Sequence, residues 1–240
     1  MDERLWTRQL LAGRDFGRND PIAAGMANYV YLIGDSQTRE CVVVDPAWDI
    51  PGIRDAAAAD GYAITGALVT HWHPDHVGGS MMGHDVQGLA SLLEHAPCPI
   101  HVHRDDVEMV TMMTGLSASD LQPVESGSRV KVGAVEIECL HTPGHTQGSQ
   151  CFRCGELLVA GDTLFLQGCG RTDLPGGDVE QMWHTLYERL LTLPRNLRLL
   201  PGHAYGVVDH DHWHTLDEVA RTNRVLTAPD WNHFRRMFGA

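Results

Sequence analysis

Apolar residues recur along this chain with two periods, and the switches between them mark out the elements. From Asn28 to Asp45 the segments NYVYLIG and CVVVD predict a hairpin, with Gly34 and Asp35 opening its turn. The alanine-rich stretch from Pro51 to Asp60 has a proline in its first turn and Gly61 behind it, and predicts a helix. Ile64 to Thr70 is a short apolar run suited to a buried strand, and it ends directly at His71. A long spacer from Met81 to Ile100 holds the helical-looking GLASLLEH. Arg104 to Gly115 also reads as helix, Arg129 to Leu140 as a hairpin turning at Gly133, and Ser149 to Ala160 as β-rich. Val179, Met182, Trp183, Leu186, Leu190 and Leu193 recur at helical spacing, with Asp178 and Gln181 in capping-box positions and Pro194 as the stop. Leu197 to Leu200 predicts one more buried strand, again ending at a histidine, His203. Strands precede helices in both halves, which favours a mixed α/β (α+β) architecture.

Composition narrows the class. A chain of 240 residues without a Pro/Gly/Ser-rich linker or an abrupt charge shift predicts a single domain over 1–240. With 43% hydrophobic and 20% charged residues it is too apolar for disorder, and it lacks the unbroken apolar run that a membrane span requires. Met1 to Phe16 is charged and carries no signal-peptide core, so a cytoplasmic location is the expectation. The formal charge of −13 repels phosphate backbones and counts against nucleic acid as a partner. Lys131 is the only lysine, so any anion site has to be built from arginine, main-chain amides or metal. The six cysteines read as buried thiols, and Cys151 and Cys154, a lone C-x-x-C in a β-rich stretch, as plain strand residues. Oligomeric state is left open.

The chemistry is concentrated in T-H-W-H-P-D-H, Thr70 to His76, which puts three imidazoles and a carboxylate within a few residues. Pro74 forbids a continuing helix, so the expectation is a tight loop in which His71 and His73 face one metal while Asp75 and His76 face a neighbouring one. A lone histidine is usually solvated or hydrogen-bonded, but such a crowd is costly without a cation to share. His145 in TPGHTQGS, Asp162 in VAGDTLF and His203 in LLPGHAYG each follow a predicted strand or sit in a glycine-containing turn, as a site at one sheet edge needs.

The ordered set H-x-H-x-D-H followed by distant His, Asp and His, from Asn28 to Gly206, resembles the metallo-β-lactamase superfamily. That resemblance implies an αββα sandwich, two facing sheets flanked by helices, with metals at one edge. It would give His71, His73 and His145 to one metal, Asp75, His76 and His203 to the other, and Asp162 as the bridge. The GCGRTD element within Gly161 to Asp178 is similar to glyoxalase II relatives and to persulfide dioxygenases. The leading expectation is a glyoxalase II-like (hydroxyacylglutathione hydrolase-like) thioesterase. Two divalent metal ions, Zn2+ first and Fe2+ or Mn2+ accepted by the same side chains, would supply hydroxide to a small thioester, possibly a thiol conjugate, with Asp75 orienting it. The alternative is a persulfide dioxygenase-like enzyme with one iron on His71, His145 and Asp162. Lactone or phosphoester hydrolysis on the same metals, and a non-catalytic binding module, are further alternatives. Glyoxalase II carries a helical C-terminal domain with basic residues for glutathione, for which too little chain follows His203. The dioxygenases have alanine where this chain has Pro74, and the spacer between His76 and His145 is longer than in either group.

Arg171, inside GCGRTD, either orients substrate or pins its loop to a carboxylate. Tyr205 either hydrogen-bonds substrate or caps the loop after His203. Met109, Met112 and Met113 read as core residues of a helix. The run DHDHWH, Asp209 to His214, imitates a metal motif and reads as a solvated turn leading into a helix.

Overall fold

The computed structural model describes residues 3–207, 209–210 and 213–239. Six strands form the first sheet, in the order β1 (Leu5–Leu11), β2 (Tyr29–Asp35), β3 (Glu40–Val44), β4 (Ala63–Leu68), β7 (Ile100–His103) and β8 (Leu121–Val124). The first three run antiparallel and the remainder parallel. A short hairpin, β5 (Gly79–Met81) and β6 (His84–Val86), stands apart. The second sheet runs β13 (Arg198–Pro201), β12 (Leu157–Gly161), β11 (Gln150–Cys154), β10 (Val135–His141) and β9 (Arg129–Val132), antiparallel except for β12 with β13.

Both faces of each sheet are covered, which is why β2 is buried at every position. Its alternate residues divide between two cores. Tyr29, Tyr31 and Ile33 point inward with Val42, Val44 and Leu68, and meet Ile137, Cys139, Phe152 and Val159 of the second sheet. Val30 and Leu32 point outward to Ile50, Ile53 and Ala57 of α2 (Ile50–Ala59) and to Leu89 and Leu92 of α4 (Leu89–His95). On the far side, Leu158 and Ala160 of β12 pack with Met182, Leu186 and Leu190, with Leu216 and Val219 of α7 (Leu216–Thr222), and with Phe234 of α8 (Trp231–Met237). The molecule is an αββα sandwich.

The remaining helices are α1 (Pro21–Met26), α3 (Pro74–Val77), α5 (Val107–Thr114) and α6 (Val179–His184); α6 continues through one wide turn, Thr185–Arg189, to a tight last turn at Leu190–Thr192. The predicted helices and hairpins are present, with instructive exceptions. Leu5–Leu11, read only as a charged start, is an edge strand paired along its whole length with β2. Gly34 and Asp35 do not open the turn: they are the last residues of β2, opposite Cys41 and Glu40. Asp35 is buried, its carboxylate accepting from Arg4 and from the main-chain nitrogens of Gln37 and Ala134, so it ties the β2–β3 turn to the β9–β10 turn of the other sheet. Met109 and Met113 pack against the core as expected, but Met112 is exposed. Cys151 and Cys154 lie on opposite faces of β11, in different cores, so they share no ion. Of the DHDHWH run, Asp211 and His212 lie outside the described residues. No helix among the described residues is long and apolar enough to cross a membrane.

Candidate metal centre

The seven donors singled out above come together at one edge of the sandwich, all buried. Four are delivered by a strand end or the turn after it: His71 beyond β4, His145 beyond β10, Asp162 beyond β12 and His203 beyond β13. The expectation of an irregular loop after His73 needs correction. Pro74 opens the four-residue helix α3, where its missing N–H is one that no helix would use, and Asp75 and His76 are carried on that turn.

The outward nitrogen of four of the five imidazoles is engaged, and this aims the other one inward. His145 Nδ1 donates to the Arg171 carbonyl (2.7 Å), His203 Nδ1 to the Met26 carbonyl (2.8 Å) and His76 Nδ1 to Asp45 Oδ2 (2.9 Å). Thr70 Oγ1 gives its own hydrogen to Asp45, so it accepts from His71 Nδ1 at 3.0 Å. Two groups of inward atoms result. His73 Nδ1 lies 3.1 Å from His71 Nε2 and 3.0 Å from His145 Nε2. His76 Nε2 and His203 Nε2 are 3.2 Å apart, each 3.4 Å from Asp75 Oδ2. Asp162 stands between the groups, with Oδ2 at 3.3 Å from His203 Nε2 and 3.7 Å from His145 Nε2, and Oδ1 at 3.5 Å from His76 Nε2.

Two observations test whether these side chains fit a metal. Nitrogens at 3.0–3.2 Å with lone pairs facing one another repel unless a cation or a proton sits between them. Asp162 Oδ1 is buried with no hydrogen-bond partner among the described residues, a state that a bound cation resolves. Imidazole and carboxylate are the ligands that zinc and ferrous iron accept, so both groups suit divalent ions. The electrostatics of the two groups differ. Burial and the neighbouring rings push His71 and His145 down and His73 down to about 3, which keeps these rings neutral. Burial would also lower His76, but Asp75 and Asp162 outweigh it and lift His76 to about 10; the same carboxylates raise His203.

Arg171 and Tyr205 are placed less centrally. The Arg171 guanidinium is exposed and paired with Asp173; only its carbonyl reaches the donors. The Tyr205 ring lies flat on His203, centroids 4.5 Å apart, and is nearly half exposed. Four residues with a hand in the site escaped the sequence reading: Asp45, Asn28, Trp48 and Asp106. Asp45 ended the predicted hairpin, yet nothing in VVVD indicated that it would hold His76 and Thr70. Asp106 is buried at the start of α5, accepts from Thr146 Oγ1 and the Gly148 nitrogen (both 2.8 Å), and is pushed up to about 6 by burial. It braces the turn that carries His145. Asp106→Ala is expected to lose about 1–3 kcal/mol of folding stability, the cost of stranding the Gly148 N–H, which chemical denaturation would measure.

With this geometry in place, comparison with known proteins is decisive. The family model described as the metallo-beta-lactamase superfamily matches residues 24–203. The chain belongs to that superfamily. Within it, the chain is 33% identical over 181 residues to the mitochondrial persulfide dioxygenase ETHE1 of Bos taurus, covering 74% of this chain and 64% of that protein. It is 35% identical over 190 residues to a hydroxyacylglutathione hydrolase of Pseudomonas entomophila, covering 78% and 65%. The match therefore spans just under two thirds of either relative. The crystal structure of ETHE1 from Myxococcus xanthus superposes with a TM-score of 0.76 at 26% identity, covering 98% of this chain and 90% of that one. This superfamily member is a metal-dependent hydrolase or oxidase close to the ETHE1 and glyoxalase II-like branch.

Proposed function

We propose that this protein is a persulfide dioxygenase-like oxygenase working with one ferrous ion, held by His71, His145 and Asp162, with His73 Nδ1 beside them. This reverses the order in which the sequence ranked the two activities. The observation that carries it is the pairing of the donors. The inward nitrogens of His71, His73 and His145 face one another, with Asp162 Oδ2 3.7 Å from His145 Nε2, whereas Asp75 Oδ2 already accepts a hydrogen bond from Asn28 Nδ2 at 3.0 Å. The near end-to-end likeness to the Myxococcus xanthus ETHE1 structure supports the same reading.

His71, His145 and Asp162 would hold the ferrous ion, which when bound would supply the activation of dioxygen. A persulfide anion, R–S–S⁻, would gain both oxygen atoms of one O2 on its terminal sulfur to give R–S–SO2⁻. Water then breaks the S–S bond, leaving R–SH and HSO3⁻, so atoms and charge balance without a further reductant. The Arg171 carbonyl and Thr70 hydroxyl hold the His145 and His71 rings in the tautomer with Nε2 free. The Tyr205 phenol, whose half-exposed ring stacks on His203, would donate to the anionic sulfur.

A hydrolytic reading retains one specific observation in its favour: Asp75, His76 and His203 converge as a second donor group. Oxygen-electrode traces with glutathione persulfide, run beside thiol release from an acylglutathione thioester, separate the two. One O2 consumed per persulfide by iron-loaded protein, with no thiol release from the thioester, is the expected result. Thiol release without oxygen uptake would overturn it in favour of the thioesterase.

A further inference from the structure

Asn28 immediately precedes β2 and is fully buried among the donors. Its Oδ1 accepts the indole N–H of Trp48 at 3.0 Å, while its Nδ2 lies 3.0 Å from Asp75 Oδ2 and 3.3 Å from His76 Nε2. An indole nitrogen only donates, so Trp48 fixes which way the amide points: oxygen toward the indole, both N–H groups toward Asp75 and His76. Trp48 is itself held in an unusual state. Its φ is 76°, a left-handed conformation that a bulky residue avoids, and its N–H is tied to the Gln87 carbonyl at 2.8 Å. Strain of this kind persists where the surroundings require a side chain in one place.

The consequence falls on the second donor group. With its Nδ1 taken by Asp45, His76 has only Nε2 to offer a cation, and the Asn28 amide faces that atom. A cation held by Asp75, His76 and His203 would compete with the Asn28 N–H groups at His76 Nε2 and at one lone pair of Asp75 Oδ2. The group formed by His71, His73 and His145 has no comparable donor directed at it among the described residues. We propose that Trp48, acting through Asn28, limits this site to one tightly held cation by keeping amide hydrogens on the Asp75–His76–His203 group. The proposal rests on the one-ion reading above and gives it a cause in this chain's own residues.

The test is zinc alone, titrated into metal-free protein against a chromophoric chelator, with bound metal counted by elemental analysis. Wild type, Trp48→Phe and Asn28→Asp are compared. Trp48→Phe removes the indole N–H and adds no ligand, so a gain there reports the freed amide; Asn28→Asp exchanges the donors for an oxygen in the same outline, and either variant decides if the other fails to fold. Wild type is expected to hold one equivalent tightly and a second far more weakly. In the variants the second should tighten by ~10-fold or more, opposite in sign to the loss that removing a supporting outer partner brings, with the first unchanged. Two equivalents of like affinity in wild type, or a second equivalent unchanged or weakened in the variants, would overturn the proposal. Oxygen uptake with persulfide is read separately: a one-ion count without uptake ends the dioxygenase reading and leaves the amide lock standing, whereas a two-ion count ends the lock whatever the uptake.

Discussion

Asp162→Ala will leave a folded protein that has lost its tightly held metal and its turnover together. Asp162 reaches both donor groups, 3.3 Å from His203 Nε2 and 3.7 Å from His145 Nε2, and its Oδ1 is a buried atom left without a hydrogen-bond partner among the described residues. Without it a dication at His71, His73 and His145 would lose the carboxylate that stands beside His145. The loss of affinity should exceed the ~100-fold that removal of an outer-shell partner brings. Asp162→Asn keeps an oxygen but not the charge, so it should fall between the alanine variant and wild type. Elemental analysis of the purified variants, read beside oxygen uptake and circular dichroism, checks this. An alanine variant that is fully metallated and active would remove Asp162 from the centre of the site.

The donors were legible because the chemistry that needs them also crowds them: three imidazoles and a carboxylate in one short segment repel and desolvate one another unless a cation draws them together. The ends of buried strands then told where His145, Asp162 and His203 would be delivered. What holds those donors was not legible, since it is made of ordinary residues that meet only in space. Asn28 and Asp75 are far apart in sequence, as are Asp45 and His76, and no period or motif links them. Pro74 shows a different limit. A proline reads as a break or as a first helical turn, and only the α3 backbone shows the second. Asp35 shows a third, because a turn-forming aspartate and a buried carboxylate bound by Arg4 look alike until the other sheet arrives with Ala134. The edge strand β1 was hidden because Thr7, Arg8 and Gln9 interrupt its apolar positions, as suits a strand with solvent on one side.

Glycines give the sharpest remaining test, because the sequence marked glycine-containing turns without telling which glycine abuts a donor. A Cβ on Gly202 would overlap Asp162 Oδ1, come within 2.9 Å of the Gly161 carbonyl carbon and within 3.1 Å of His76 Cε1. The backbone there has little room to retreat: the Gly202 nitrogen donates to the Gly161 carbonyl at 2.7 Å and its carbonyl accepts from the Tyr29 nitrogen at 2.8 Å. Gly202→Ala should therefore displace the carboxylate and weaken metal binding by at least ~10–100-fold, on the scale set by disturbed ligand orientation. Gly25→Ala is the matched control, since a Cβ within α1 at that position meets nothing, and it should raise stability by about 0.5–1 kcal/mol. Chelator competition and chemical denaturation on the two variants give the comparison. Wild-type metal affinity in Gly202→Ala would mean that Asp162 tolerates displacement and that the metal is held without it, because the added methyl meets the Asp162 carboxylate before anything else in the fold.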